Sequence, residues 1–174
     1  MIYLIALVLG IGIPVGIIYL IGILDTTIRG RKDIEDKLSI PFLGDIPEYH
    51  GSTRQGSVVV RDNGRDSVSE AFRLIRSNLG FMSVKSGKLQ IIMVTSSNPH
   101  AGKTFVTTNL AMTLALADKK VVIVDLDLRR RTLSKQMGQR DNRNGVSGYI
   151  SGTIANLNDI VFQSGLHENL DIIF

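Results

Sequence analysis

The middle of the chain contains a short sequence that can bind a phosphate group, Gly102-Lys103-Thr104. A bound phosphate needs backbone amides that approach closely, a cation, and a hydroxyl for the metal ion that bridges its oxygens. The usual motif, G-x-x-x-x-G-K-[ST], begins with glycine, and here that position is Ser97. The predicted phosphate and nucleotide contacts are Ser97, Asn98, Pro99, His100, Ala101, Gly102, Lys103, Thr104 and Phe105.

The segments on either side of this loop favour a strand, a loop and a helix in that order. Residues 89–94 are mostly apolar and are predicted to be the first strand of a nucleotide-binding unit. Residues 105–117 are compatible with a helix, whose N-terminus would add a favourable field for an anion. A chance Gly-Lys-Thr in an unrelated loop is the alternative, and these flanking elements disfavour it.

Two carboxylates, Asp125 and Asp127, follow a second apolar run at 121–124. The run predicts a parallel strand buried on both faces. Ligands of open parallel sheets bind at the carboxyl ends of the strands, and Mg²⁺ takes oxygen ligands. The pair is therefore a candidate to hold Mg²⁺ directly or through water. The alternative is a strand end followed by a helix cap.

The N-terminal residues 1–24 contain no charged side chain and are long enough to cross a bilayer. They are predicted to form a transmembrane helix, because a signal peptide would need a basic start and a cleavage site. Arg29, Arg31 and Lys32 follow, which predicts a cytoplasmic location for the rest of the chain. Residues 25–65 are predicted to be a connector and linker, with a short amphipathic helix at 28–38.

Ser67 and Glu70 have the spacing of a capping box, so a helix is predicted to begin at Ser67. Its apolar positions follow helical periodicity and predict one buried face. Glu70, Arg73 and Arg76 lie on the opposite side, where a solvated charged face is the simplest interpretation.

The amino-acid composition excludes some classes of function and predicts the fold class. The chain has no cysteine, which excludes disulfides and thiol chemistry. Its net charge of +4 is spread along 174 residues with 6% aromatic content, so no nucleic acid partner is predicted. The fold class predicted is α/β: an incomplete P-loop NTPase domain at 66–174, with a parallel sheet flanked by helices, after one transmembrane helix. No later apolar strand ends in a Walker B aspartate, so we expect a truncated chain.

With both motifs in view, the sequence resembles the bacterial tyrosine kinases of capsule and exopolysaccharide assembly that are fused to a chain-length-determinant membrane domain. Residues 94–111 resemble that family's Walker A loop and helix, and 121–131 resemble its Walker A′ motif, D-x-D-x-R. Residues 24–47 resemble the segment that joins the second membrane helix to the kinase domain. Glu70, Arg73 and Arg76 match the family's E-x-x-R-x-x-R motif, which implies packing of kinase domains into a homo-oligomeric ring.

The resemblance implies an inner-membrane protein-tyrosine autokinase that uses ATP and Mg²⁺, with partners in polysaccharide polymerisation and export and a tyrosine phosphatase. Lys103 would bind the phosphates and Thr104 would bind the metal. Asp127 would help to hold the metal and Asp125 would activate the phenol, and these two assignments can be exchanged.

The chain departs from the family at His100 and Ala101, where Gly-Glu or Gly-Ser is usual, so a side chain replaces a hydrogen beside the phosphate. Two other functions stay open. A partition-type P-loop ATPase would carry a lysine where this chain has Asn98, which argues against it. A membrane scaffold that controls polysaccharide chain length would use the nucleotide site without catalysis.

Overall fold

The computed structural model describes residues 1–25, 27–28, 30–51, 58–83, 90–127, 132–136 and 145–174. Several residues used in the sequence argument lie outside this set: Arg29, Leu89 and the arginines at 129–131. The chain divides into two compact units, Met1–Phe42 and Leu43–Phe174. The domain boundaries drawn from the sequence stay a prediction.

The first unit contains a long apolar helix, α1 (Ile2–Leu24), and a short helix, α2 (Arg31–Glu35). The length and composition of α1 make it a candidate membrane span. Helix α2 is shorter than the amphipathic helix predicted at 28–38. Its Arg31 Nε donates to Glu35 Oε1 at 2.7 Å, and the guanidinium lies 5.7 Å from the centre of the Phe42 ring.

The second unit is an α/β arrangement. Its helices are α3 (Ser67–Ser83), α4 (Lys103–Ala115), α5 (Thr132–Gln136) and α6 (Val146–Ile150), with a 3₁₀ turn at Leu157–Ile160. Its strands are β1 (Val121–Val124), β2 (Phe162–Gln163) and β3 (Leu170–Ile173), in the order β1-β3-β2. The predicted strand at 121–124 is therefore present, and it is parallel to β3. The sheet is mixed, because β2 is antiparallel to β3.

One face of the sheet packs on α4. Ile123 and Leu170 are buried there against Ala111 and Ala115 of the helix, together with Leu133 of α5. Strand residues that are paired in register point to the same face, and successive residues alternate between faces. The helix α4 thus packs against β1 and β3.

The opposite face is only partly covered. Ile173 packs there against Val146 and Ile160. Val122 and Val124 of β1 remain 49% and 44% exposed. The prediction that this strand is buried on both faces is wrong for the part of the chain that the structure describes, because the described elements cover these two valines only in part.

The apolar segment before the predicted phosphate loop (residues 97–102) also differs from the prediction. Residues 90–96 form no strand, since a strand needs ladder hydrogen bonds and β1 is the edge of the described sheet. Ile91 and Met93 are 87% and 82% exposed. Alternate residues of the segment line a groove of about 910 Å³ together with α4 and the start of β1; the lining includes Gln90, Ile92, Val94, Leu110, Leu114, Val121 and Val122.

Helix α3 begins at Ser67 as predicted, but its cap is Asp66 and not Ser67. Asp66 Oδ1 accepts from the Ser69 amide at 2.9 Å, and Oδ2 accepts from the Ser69 hydroxyl at 2.7 Å. A carboxylate that accepts from the third amide of a helix is an N-cap. Burial opposes ionisation of Asp66, and the bonds from Ser69 outweigh that effect and lower its pKa.

We therefore expect Asp66→Ala to lower the free energy of unfolding at neutral pH by about 1 kcal/mol, the usual effect of losing an N-cap. Because the pKa is lowered in the folded state, this contribution is present above the usual value of 3.8 and is lost as the pH falls through the folded pKa. Thermal unfolding at neutral and acid pH measures it. Ser67→Ala is the control, and a larger effect from Ser67→Ala would restore the capping box.

Candidate functional site

The phosphate loop is an exposed turn that ends directly at α4. Its side chains from Ser97 to Ala101 are all solvent-exposed. Gly102 has φ of +87° and His100 has φ of +62°. Glycine adopts such a backbone freely, whereas for a residue with a side chain the left-handed region is unfavourable by about 1–2 kcal/mol. His100 stands where the kinase family that the sequence resembles usually carries glycine, and its backbone conformation is one that favours glycine.

The N-terminus of α4 is free to receive an anion. Gly102 is the N-cap residue and provides no side-chain cap, and its carbonyl accepts from the Val106 amide at 2.9 Å. The first amides of a helix have no intrahelical acceptor, and the 13-residue helix adds partial positive charge at this end. Lys103, Thr104 and Phe105 form this first turn, so their backbone amides are the donors that a phosphate would use.

Lys103 lies back across the loop. Its Nζ donates to Ser96 Oγ at 2.8 Å, and Ser96 Oγ donates to the Asn98 carbonyl at 2.8 Å. The ammonium is thus held beside the loop rather than extended into solvent. Sequence reasoning missed Ser96, because it stands before the first position of the motif.

Asp125 and Asp127 follow the carboxyl end of β1, as predicted. The Asp127 amide donates to Asp125 Oδ1 at 3.0 Å. Asp125 Oδ2 is buried, and none of the residues that the structure describes offers it a hydrogen bond. Burial raises the pKa of Asp125, and the charge of Asp127 adds to this. The backbone amides of Asp127, Leu133 and Ser134 act in the opposite direction.

The loop and the aspartates lie at the same end of the layer that α4 and β1 form. The connection from Ala115 to Val121 is short, so the C-terminus of α4 is near the start of β1. The helix packs along the strand and rises about 1.5 Å per residue, which carries its N-terminus toward the carboxyl end of β1. No group of three or more potential metal-ligating side chains occurs among the described residues.

The charged stripe of α3 makes bonds within the chain. Arg73 pairs with Glu70 at 2.6 Å and donates to the Gly64 carbonyl at 2.6 Å. Arg76 donates to the Thr113 carbonyl of α4 at 3.0 Å. Arg76 therefore links α3 to the helix that carries the phosphate loop.

A second link to α4 involves Asn109, which the sequence analysis did not single out. Its fully buried side chain binds the segment Val59 and Val60, which lies in the predicted linker. Both valines are themselves buried, next to Phe72 and Leu110. Within residues 50–65, the three valines at 58–60 are the only strand-like run of the sequence, and nothing in the sequence indicates their partner.

We expect Asp125→Asn to stabilise the nucleotide-free protein at neutral pH, since it removes a buried carboxylate. A folded-state pKa above the usual 3.8 gives stability that is full below 3.8 and lost as the pH rises through the folded value. The advantage of the variant in melting temperature should therefore be largest near neutral pH and should vanish at about pH 4 and below. Exposed Asp127→Asn is the control. An advantage that does not change with pH would contradict this assignment.

The chain matches known proteins in both sequence and structure. Residues 92–172 match the family described as the CobQ/CobB/MinD/ParA nucleotide binding domain. A protein named as a putative tyrosine-protein kinase in the cps region of Klebsiella pneumoniae is 28% identical over 163 residues, which cover 83% of this chain and 22% of that relative. The tyrosine-protein kinase etk of Escherichia coli strain K12 is 40% identical over 91 residues, or 52% of this chain and 12% of that relative.

Among solved structures, the kinase domain of the Escherichia coli tyrosine kinase ETK aligns with a TM-score of 0.71 and 28% identity, covering 84% of this chain and 59% of that domain. The chimerical protein CapA2B2 aligns with a TM-score of 0.66 and 31% identity, covering 82% and 58%. The chain spans about a fifth of the length of the Klebsiella pneumoniae relative and about an eighth of the length of the tyrosine-protein kinase etk. The chain is therefore similar, over part of their length, to tyrosine-protein kinases of bacteria, and it shares the nucleotide-binding fold of the ETK kinase domain.

Proposed function

We propose that the protein containing this chain is an ATP-dependent protein-tyrosine autokinase that regulates polymerisation and export of a capsular polysaccharide or exopolysaccharide. The observation that carries the proposal is the uncapped N-terminus of α4 with Lys103 held beside it, in a chain whose relatives are named tyrosine-protein kinases. The cps region in the name of one relative supports the connection to polysaccharide.

The residues of the site have distinct roles in this proposal. The amides at the start of α4 and the Lys103 ammonium bind the phosphates of ATP. Thr104 and Asp127 would hold Mg²⁺, which would supply positive charge to the phosphoryl oxygens. Asp125 accepts the proton of the incoming tyrosine, and the roles of the two aspartates can be exchanged.

The environment of the Asp125 carboxyl group supports a role in binding a metal ion or accepting a proton. Its Oδ2 is buried without a partner in the described part of the chain, and a cation, a metal-bound water or a phenol would supply one. Its raised pKa brings the carboxyl nearer to the range in which it can accept and release a proton. Mg²⁺ usually keeps several waters and few protein ligands, so two side chains suffice.

The proposal includes a location and partners. Helix α1 would span the inner membrane, and the basic residues Arg31 and Lys32 that follow it would keep the kinase domain in the cytoplasm. The polysaccharide machinery and a tyrosine phosphatase would be its functional partners. Kinase domains would assemble into a ring through Glu70, Arg73 and Arg76. Within the chain both arginines donate to backbone carbonyls, so the 61% exposed Glu70 side chain is the group best placed to meet a neighbour.

Removal of the Lys103 ammonium tests the activity. In the full-length protein, Lys103→Met should abolish the appearance of phosphotyrosine from labelled ATP, because the phosphate charge loses its cation. Lys120→Met removes an exposed lysine elsewhere and should leave the activity unchanged. Retained autophosphorylation in Lys103→Met would overturn the mechanism. In the wild-type protein, free phosphate alone would indicate a partition-type ATPase, and neither product would indicate a scaffold.

The ring is tested by the oligomeric state of the full-length protein in detergent or nanodiscs, measured by mass photometry. Glu70→Ala should weaken self-association by about tenfold or more, since it removes the exposed charge of the stripe. Glu48→Ala removes a carboxylate that is 85% exposed elsewhere and should have no effect. An unchanged oligomer in Glu70→Ala would exclude Glu70 from the interface.

A further inference from the structure

Asn109 joins the helix α4 to a segment about 50 residues earlier in the chain. Its Oδ1 accepts from the Val59 amide at 2.8 Å and from the Val60 amide at 3.1 Å. Its Nδ2 donates to the Phe105 carbonyl at 2.9 Å. The side chain is fully buried, so water cannot replace these bonds when they break.

The segment at 58–60 is part of the core and not only a connection. Val59 and Val60 are 6% and 2% exposed and cluster with Phe72 and Leu110. Two backbone amides of the segment rely on one side-chain oxygen of α4. Any opening of the segment would therefore leave the two buried backbone amides without this acceptor, which is strongly unfavourable.

The other end of the Asn109 side chain reaches the first turn of α4. Phe105, whose carbonyl receives Nδ2, lies three residues after the N-cap Gly102, and its amide is one of the proposed phosphate donors. The Phe105 ring also contacts Phe72 of α3, with ring centres 6.0 Å apart. One buried amide group thus connects the segment 58–60 with the turn of helix that would bind phosphate.

We propose that Asn109 is a positioning residue that couples docking of the segment 58–60 to nucleotide binding at the start of α4. This inference rests on the proposed function, which assigns nucleotide binding to the loop. A ligand that orders the first turn of α4 favours the conformation in which Asn109 receives both valine amides. Because coupling is reciprocal, a docked segment strengthens nucleotide binding by the same factor. In sequence the segment lies between α1 and α3. Docking or release of this part of the connector would therefore change nucleotide binding at the phosphate loop through the Asn109 side chain.

The test compares hydrogen exchange and nucleotide affinity in the full chain in nanodiscs, with Mg²⁺ and the non-hydrolysable ATP analogue AMP-PNP as the probe. In the wild-type protein the probe should slow exchange in peptides covering 58–66 by about fivefold or more. Exchange in peptides covering 168–174, which report on the sheet, should slow less. Asn109→Leu keeps the volume and removes the hydrogen bonds. It should exchange rapidly at 58–66 with or without the probe, and should bind the probe at least about fivefold more weakly.

Thr113→Val is the matched control on the same helix. Thr113 is also buried, and its Oγ1 donates within α4 to the backbone carbonyl of Asn109. This variant should keep both the protection and the affinity within about twofold of wild type. The inference is overturned if the probe binds wild type without selective protection at 58–66, or if Asn109→Leu binds it as tightly as wild type. If the wild-type protein does not bind the probe, the proposed function fails together with the coupling. If Asn109→Leu does not fold, the wild-type exchange comparison decides the inference by itself.

Discussion

The packing of α4 on the sheet is the contact on which the other features of the domain depend. Ala111 and Ala115 are small enough to bring the helix close to Ile123 and Leu170, and this contact sets the direction of α4 along β1. The same direction takes the N-terminus of α4 to the carboxyl end of the strand. The predicted phosphate loop and the two aspartates therefore come to one end of the layer.

Other faces of α4 make polar contacts with α3 and with the segment 58–60. Arg76 of α3 donates to the carbonyl of Thr113, and Asn109 receives the amides of Val59 and Val60. Buried polar groups are stabilising only when their partners are present, so these bonds specify where α3 and the segment 58–60 must lie. The helix that carries the candidate phosphate site at one end is thus held by polar contacts along its length.

The helices α1, α3 and α4 and the strand at 121–124 were predictable from the sequence, because periodicity and composition act locally, whereas the strand predicted at 89–94 is not formed by the described residues 90–94. The beginning of α3 shows a limit of prediction from the sequence. Both Asp66 and Ser67 have side chains that can cap a helix, and only the backbone geometry selects Asp66. The pattern at 121–124 predicted a parallel strand correctly, but burial on both faces depends on covering elements, and the described residues cover Val122 and Val124 only in part.

The sequence by itself determined the chemistry of this protein: a lysine, a hydroxyl and glycine at a loop, two carboxylates after a strand, and an apolar N-terminal helix. Those features depend on residue type and short spacing, which one-dimensional patterns record. Only the tertiary structure decided that Lys103 bonds to Ser96, that Asp125 keeps a buried oxygen, and that Asn109 binds a segment assigned to a linker. These contacts join groups whose environments depend on how the elements pack, and local sequence carries no record of a partner 50 residues away.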